Sequence, residues 1–207
     1  MPPQPCAARA LQTDSVALAA GFRDHCGTEH AIEDWLGSKA NGADGRTMIK
    51  GIYETHLDVS DLDRSMAFYG GTLGLELGLR TELDAARADS HSRGCSQLAI
   101  YWVGGWGNAA LGLWERPEME LRVQHFAFEL ELDRMGEAVA RLQAEGIEVR
   151  DFFMRTTGVP TVFGWVPTAS VYFEDPDGHQ LEYLARVPGP PAPDVGIVTW
   201  DEWERRT

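Results

Sequence analysis

A chain of 207 residues is long enough to bury one sizeable core and too short for two ordinary domains. Its formal charge of -14, from 32 acidic against 18 basic side chains, repels phosphate backbones and anionic headgroups, which argues against nucleic-acid and membrane partners. Three cysteines (Cys6, Cys26, Cys95) without CxxC spacing argue against a disulfide framework or a zinc knuckle, and neither an apolar run of spanning length nor a secretory leader is evident, so the expected setting is the cytoplasm.

Residues 1–47 are small and polar, with weak helical hints at 17–22 and 32–36, and read as an N-terminal extension of unknown role. Met48 begins a segment that looks like a natural protein start. His25, Cys26 and His30 upstream of it are irregularly spaced and read as incidental rather than as a metal site. From 52 to 59 the pattern alternates. Thr55, Leu57 and Val59 share one face and Glu54, His56 and Asp58 the other, as a strand between a core and a polar cavity requires. Asp61 or Asp63 caps a following helix through Met66, Phe68 and Tyr69, which ends at the glycines before Leu75. Strands are expected at 75–81, 97–103 and 109–114, with the glycine-rich 104–108 as the last turn.

The same β-α-β-β-β order then recurs. Residues 123–130 alternate, with Phe126, Phe128 and Leu130 opposite His125, Ala127 and Glu129. A helix over 133–145 ends at Gly146, and a strand is expected at 147–150. Strands at 170–174 and 180–185 flank the turn Asp175-Pro176-Asp177-Gly178. Glu54 and His125 lie 71 residues apart, and Gly112 of Leu-Gly-Leu-Trp lies 70 residues from Glu182 of Leu-Glu-Tyr-Leu, so two anchors agree on one internal repeat. The expectation is an α+β fold of two tandem βαβββ modules, about 50–116 and 121–186, within a domain spanning 48–187. A C-terminal tail, 188–207, follows; its 188–193 proline run reads as a linker, and Trp200 and Trp203 as aromatics that pack back.

Thr55-His56-Leu57-Asp58-Val59-Ser60-Asp61-Leu62-Asp63-Arg64-Ser65-Met66-Ala67-Phe68-Tyr69, followed by Leu73-Gly74-Leu75, resembles the first strand and helix of the vicinal-oxygen-chelate superfamily of glyoxalases, fosfomycin- and bleomycin-resistance proteins and extradiol dioxygenases. Phe173-Glu174-Asp175-Pro176-Asp177-Gly178 with Leu181-Glu182 resembles its last hairpin. The resemblance implies half-open barrel sheets around a divalent metal held on the first and fourth strands of the modules. It places His125 and Glu182 at ligand positions. In module one, register puts the ligand at Glu54, whereas ligand softness favours His56; residues two apart on a strand are about 6.6 Å apart, too far for both to bind one ion regularly. With His56 the set suits iron(II). With Glu54 it leans toward manganese, and nickel and zinc remain open. The residue left unbound is a candidate general base or a hydrogen-bond partner of the ligand.

The fourth position is Gly112, where glyoxalases carry a glutamate, and Glu115 falls on the opposite face of the strand. The implied protein is a metal-dependent enzyme, of lyase, isomerase, transferase or dioxygenase type, that grips two neighbouring oxygens of a small-molecule substrate. The alternative is a metal-free drug- or metabolite-binding protein of the bleomycin-resistance type. A homodimer is expected. Tyr101, Trp102, Trp106 and Trp114 are candidates for pocket walls or plain core, and Arg155, Thr156 and Thr157 sit in a long loop, 152–168, that would lie over the site.

Overall fold

The computed structural model describes residues 49–84, 92 and 94–206. The expected extension 1–47, with His25, Cys26 and His30, lies outside the described residues.

In module one, β1 (Glu54–Val59) leads to α1 (Leu62–Met66), which continues as a π-helical segment, Ala67–Thr72; β2 (Glu76–Glu82), β3 (Gln97–Val103) and β4 (Ala109–Glu115) follow. Asp61 is the cap, its carboxylate accepting from the Arg64 N–H at 2.9 Å. Glu115, placed on the core side of β4 as its alternation requires, accepts from the Leu62 N–H at 2.9 Å and anchors the same helix start. Burial opposes its ionisation, but hydrogen bonds from Leu62, Ser96 and Gln97 prevail and hold its carboxyl below the usual range. Module two repeats the plan with β5 (His125–Leu130), a 3-10 turn at Leu132–Arg134, α2 (Met135–Ala144), β6 (Thr161–Phe163), β7 (Thr168–Glu174) and β8 (Gln180–Arg186).

Each module forms an open sheet, β1-β4-β3-β2 and β5-β8-β7-β6, with the first strand parallel to the fourth. Glu54 lies opposite Ala110 and His56 opposite Gly112; His125 lies opposite Gln180 and Ala127 opposite Glu182. The repeat read from sequence therefore holds at the level of register, pairing Glu54 with His125 and Gly112 with Glu182. Leu57, Val59, Leu111 and Leu113 from one sheet and Val171, Phe173, Leu181 and Ala185 from the other meet Tyr69, Val139 and Leu142 in one shared core. The opposite face of each sheet, carrying the polar residues, is left for chemistry.

The turn between β7 and β8 joins the modules. Asp177 accepts from the Ser60 hydroxyl and the Arg64 guanidinium, both at 2.5 Å, and Asp175 accepts from the Tyr69 hydroxyl at 2.8 Å. Burial and the Asp175 carboxylate push the Tyr69 phenol far above its ordinary value, so it remains a donor. His179, fully buried, donates from Nε2 to the Asp58 carbonyl at 2.9 Å while its Nδ1 accepts from the Gln124 N–H. The Asp-Pro-Asp-Gly motif is thus consumed in holding the two modules together.

The strand expected at 147–150 is not formed. Arg150 makes single bridges to Tyr172 and Thr156, and the chain then doubles back. The buried Asp151 carboxylate takes the Arg155 N–H at 2.9 Å and its Nε at 2.6 Å, which stabilises the reversal and detaches the following residues from β7. Pairing resumes only at β6, inside the stretch expected to be loop. The C-terminal residues extend this sheet: β9 (Ile197–Thr199) pairs with β6, and α3 (Trp200–Glu204) opens with a Thr199/Glu202 capping box. Trp203 is buried against Val162, Ala169 and Val187. Among the described residues no helix is long and apolar enough to cross a membrane.

Candidate metal centre

His125 and Glu182 meet on the open face of the second sheet. Register puts Ala127 directly opposite Glu182, so its methyl group leaves room for the carboxylate to reach along the sheet to His125. Glu182 Oε2 lies 3.3 Å from His125 Nε2. His125 Nδ1 is 3.1 Å from the Gln180 carbonyl, which can only accept; Nδ1 therefore carries a proton and donates, leaving Nε2 with a lone pair in the neutral ring. A lone pair facing a carboxylate on a residue that is only 7% exposed is repelled by it, and a cation between them, a metal ion or a proton on Nε2, removes that repulsion. Two ligands at about 2.1 Å from one ion, with angles between octahedral and tetrahedral, stand about 3.0–3.4 Å apart, which this pair matches. The donor set fits a divalent metal.

Tyr172, which sequence reasoning missed as a site residue, completes this corner. It lies opposite Glu182 across β7 and β8, and its ring stacks on His125 at 6.1 Å between centroids with a 28° interplanar angle. Burial and the Glu182 carboxylate push its phenol well above the ordinary value, so it stays protonated beside the carboxylate.

Module one is arranged differently. His56 Nδ1 accepts from the Trp114 indole N–H at 2.7 Å, and the ring Nε2 faces Glu54 Oε1 across 3.6 Å. Because indole can only donate, the neutral His56 ring holds its proton on Nε2, the reverse of His125. The imidazole occupies the space above Gly112: a Cβ added there would fall on Nδ1 and 2.7 Å from Cε1. Gly112 and Ala127 are thus the two small residues that give way, one to a first-strand histidine and the other to a fourth-strand glutamate. Gly112→Ala is expected to drive His56 off Trp114 and to cost about 1–3 kcal/mol. In a His56→Ala background most of that cost should vanish, a coupling that a double-mutant cycle of urea unfolding measures.

The four residues expected at the metal therefore form two pairs, Glu54 with His56 and His125 with Glu182. Among the described residues no group of three or more histidine, cysteine or carboxylate side chains is placed to hold one ion. The Glu54, His56 and His125 side chains are 47%, 38% and 49% exposed, whereas Glu182 is buried behind His125. Of the aromatics, Tyr101 is core, Trp114 serves His56, and Trp102 meets the exposed Trp106 at 6.0 Å.

The family model described as the glyoxalase/bleomycin resistance protein/dioxygenase superfamily matches residues 51–183, the span of both modules. The chain belongs to this superfamily. An integron cassette protein from the mobile metagenome of Halifax Harbour sewage outfall is 32% identical, with 66% of this chain and 99% of that chain covered and a TM-score of 0.51. The oxidase ChaP-H2 is 21% identical (70% and 100% covered, TM-score 0.50), and a glyoxalase/dioxygenase from Nostoc punctiforme is 21% identical (72% and 99%, TM-score 0.48). The likeness to ChaP-H2 shows a shared fold alone. Comparison with curated proteins returns no match. Superfamily membership fixes the architecture and leaves the reaction to be argued from this chain's own residues.

Proposed function

We propose that this superfamily member is a divalent-metal-dependent enzyme that holds two neighbouring oxygens of a small molecule, and that it works in the cytoplasm as a homodimer. In this reading Glu54 of one subunit completes the His125–Glu182 pair of the other. The observation that carries it is the His125 tautomer: Nδ1–H is tied to the Gln180 carbonyl, and the Nε2 lone pair is aimed at a buried carboxylate 3.3 Å away. The exposure of Glu54 and His125, with no three-ligand group among the described residues, supports a site shared between subunits.

Bound there, a divalent ion polarises the coordinated oxygens and stabilises the negative charge that develops on them. His125 and Glu182 hold it, the Gln180 carbonyl orients His125, and the protonated Tyr172 donates toward Glu182. Trp114 fixes the proton of His56 on the nitrogen that faces Glu54, so His56 acts as a positioning residue for that carboxylate rather than as a ligand or a base. One imidazole and two carboxylates suit manganese(II) better than the iron(II) chemistry of a two-histidine set. The reaction class favoured is proton or group transfer of the lyase, isomerase or transferase type. In titrations of the stripped protein, Glu54→Ala is expected to weaken manganese binding by about a hundredfold and His56→Ala by no more than about tenfold. The reverse order would make His56 the ligand.

A further inference from the structure

From the face that carries Glu182, a row of rings runs away from the proposed metal. Phe163 lies opposite Thr168, on the same side of β6 and β7 as Ser170 and Tyr172, while Val162, Ala169 and Val171 turn to the buried side. Phe152, from the Asp151 reversal, crosses this face; its N–H donates to the Thr161 hydroxyl at 3.1 Å. The rings then follow one another: Trp165 to Phe163 at 5.1 Å and 81°, Phe163 to Phe152 at 5.3 Å and 83°, Phe152 to Tyr172 at 6.3 Å, and Tyr172 to His125 at 6.1 Å. Edge-to-face contacts hold Phe163 between Trp165 and Phe152, and the Phe152–Tyr172 contact is tilted, yet Phe152 and Trp165 remain 43% and 47% exposed. The cations of the same elements are already neutralised. Arg155 pairs with Asp151, Arg150 with Glu148 and Glu174, and Arg186 with Glu129.

We propose that this shelf binds a planar aromatic ring of the substrate, which is uncharged outside the two oxygens presented at His125 and Glu182. Aromatic faces and edges reward a flat ring, and continuity with the ligand pair sets that ring at the near end of the shelf, beside Tyr172 and Phe152. With these arginines paired and the protein at a net charge of -14, the described residues of the shelf offer a phosphonate or carboxylate tail little counter-charge. This inference rests on the metal-enzyme reading for where the oxygens go, but the ring site stands on its own contacts.

The test is calorimetric titration of the manganese-loaded full chain with 2,3-dihydroxynaphthalene, acetohydroxamic acid and 2,3-dimethoxynaphthalene. The first has ring and chelating oxygens, the second only the chelating oxygens, and the third a ring whose oxygens are blocked. Phe152→Ala, at a partly exposed position two ring steps from His125, is expected to weaken both naphthalenes about three- to tenfold and to leave acetohydroxamate binding unchanged. Equal losses for all three compounds, or no loss for the naphthalenes, would overturn the proposal. So would a variant that changes only the oligomeric state, since the shelf would then be a subunit face. If the protein takes up no metal and ignores acetohydroxamate, yet binds 2,3-dimethoxynaphthalene in a Phe152-dependent way, the shelf stands and the metal reading falls.

Discussion

Glu182→Ala and His125→Ala are each expected to lower the affinity for manganese(II) by at least about a hundredfold, with the fold retained. The reasoning is electrostatic. In the intact pair, a lone pair and a carboxylate converge at 3.3 Å in a corner where the carboxylate is 7% exposed, an arrangement that becomes favourable when a cation sits between them. Removing either partner deletes a ligand and leaves the other without its complement. Neither side chain belongs to the shared core, so far-ultraviolet circular dichroism and the unfolding midpoint should change little. Glu182→Gln is a sharper probe, because it keeps the shape and removes the charge; it should fall close to the alanine variant. Retained stoichiometric metal in either alanine variant would remove the pair from the site.

Mixing two inactive variants is expected to restore metal sites. If Glu54 and the His125–Glu182 pair come from different subunits, Glu54→Ala and His125→Ala homodimers each lack an intact site. A heterodimer of the two concentrates both lesions in one site and leaves the other whole. Full exchange of equal amounts gives heterodimers in about half the population, so about a quarter of the wild-type number of tight sites should reappear. No single-chain site predicts any recovery at all. Counting tight manganese sites by titration before and after subunit exchange separates the two arrangements without requiring the substrate.

Much of this architecture was legible because β1 and β5 alternate between a core-facing and a polar face. Leu57 and Val59 against His56 and Asp58, and the recurrence of that pattern around His125, fixed both the repeat and the polar faces before any coordinates. Asp61 and the Asp-Pro-Asp-Gly turn were equally readable, since caps and turns depend on local chemistry. What escaped depends on pairing between distant strands. The exchange of space between His56 and Gly112 requires knowing that those two residues are opposite each other, 56 positions apart in sequence. Tyr172 was recoverable in principle: counting outward from the turn pairs Glu174 with Gln180 and Tyr172 with Glu182. The strand at 147–150 failed because a buried Asp151 reverses the chain, and a single aspartate gives no sign of that from sequence. The return of β9 to the sheet edge was hidden by the prolines before it, which read as a linker.

Whether this site is built for a metal is read from elemental analysis of protein purified without chelator or metal-affinity tag, followed by anaerobic titration of the stripped protein with manganese(II), iron(II), nickel(II) and zinc(II). One tight ion per chain is expected, with the dimer holding two. Protein that carries no metal and takes up none from any of the four titrations would contradict it, and would leave a metal-free binding protein as the better description of the chain.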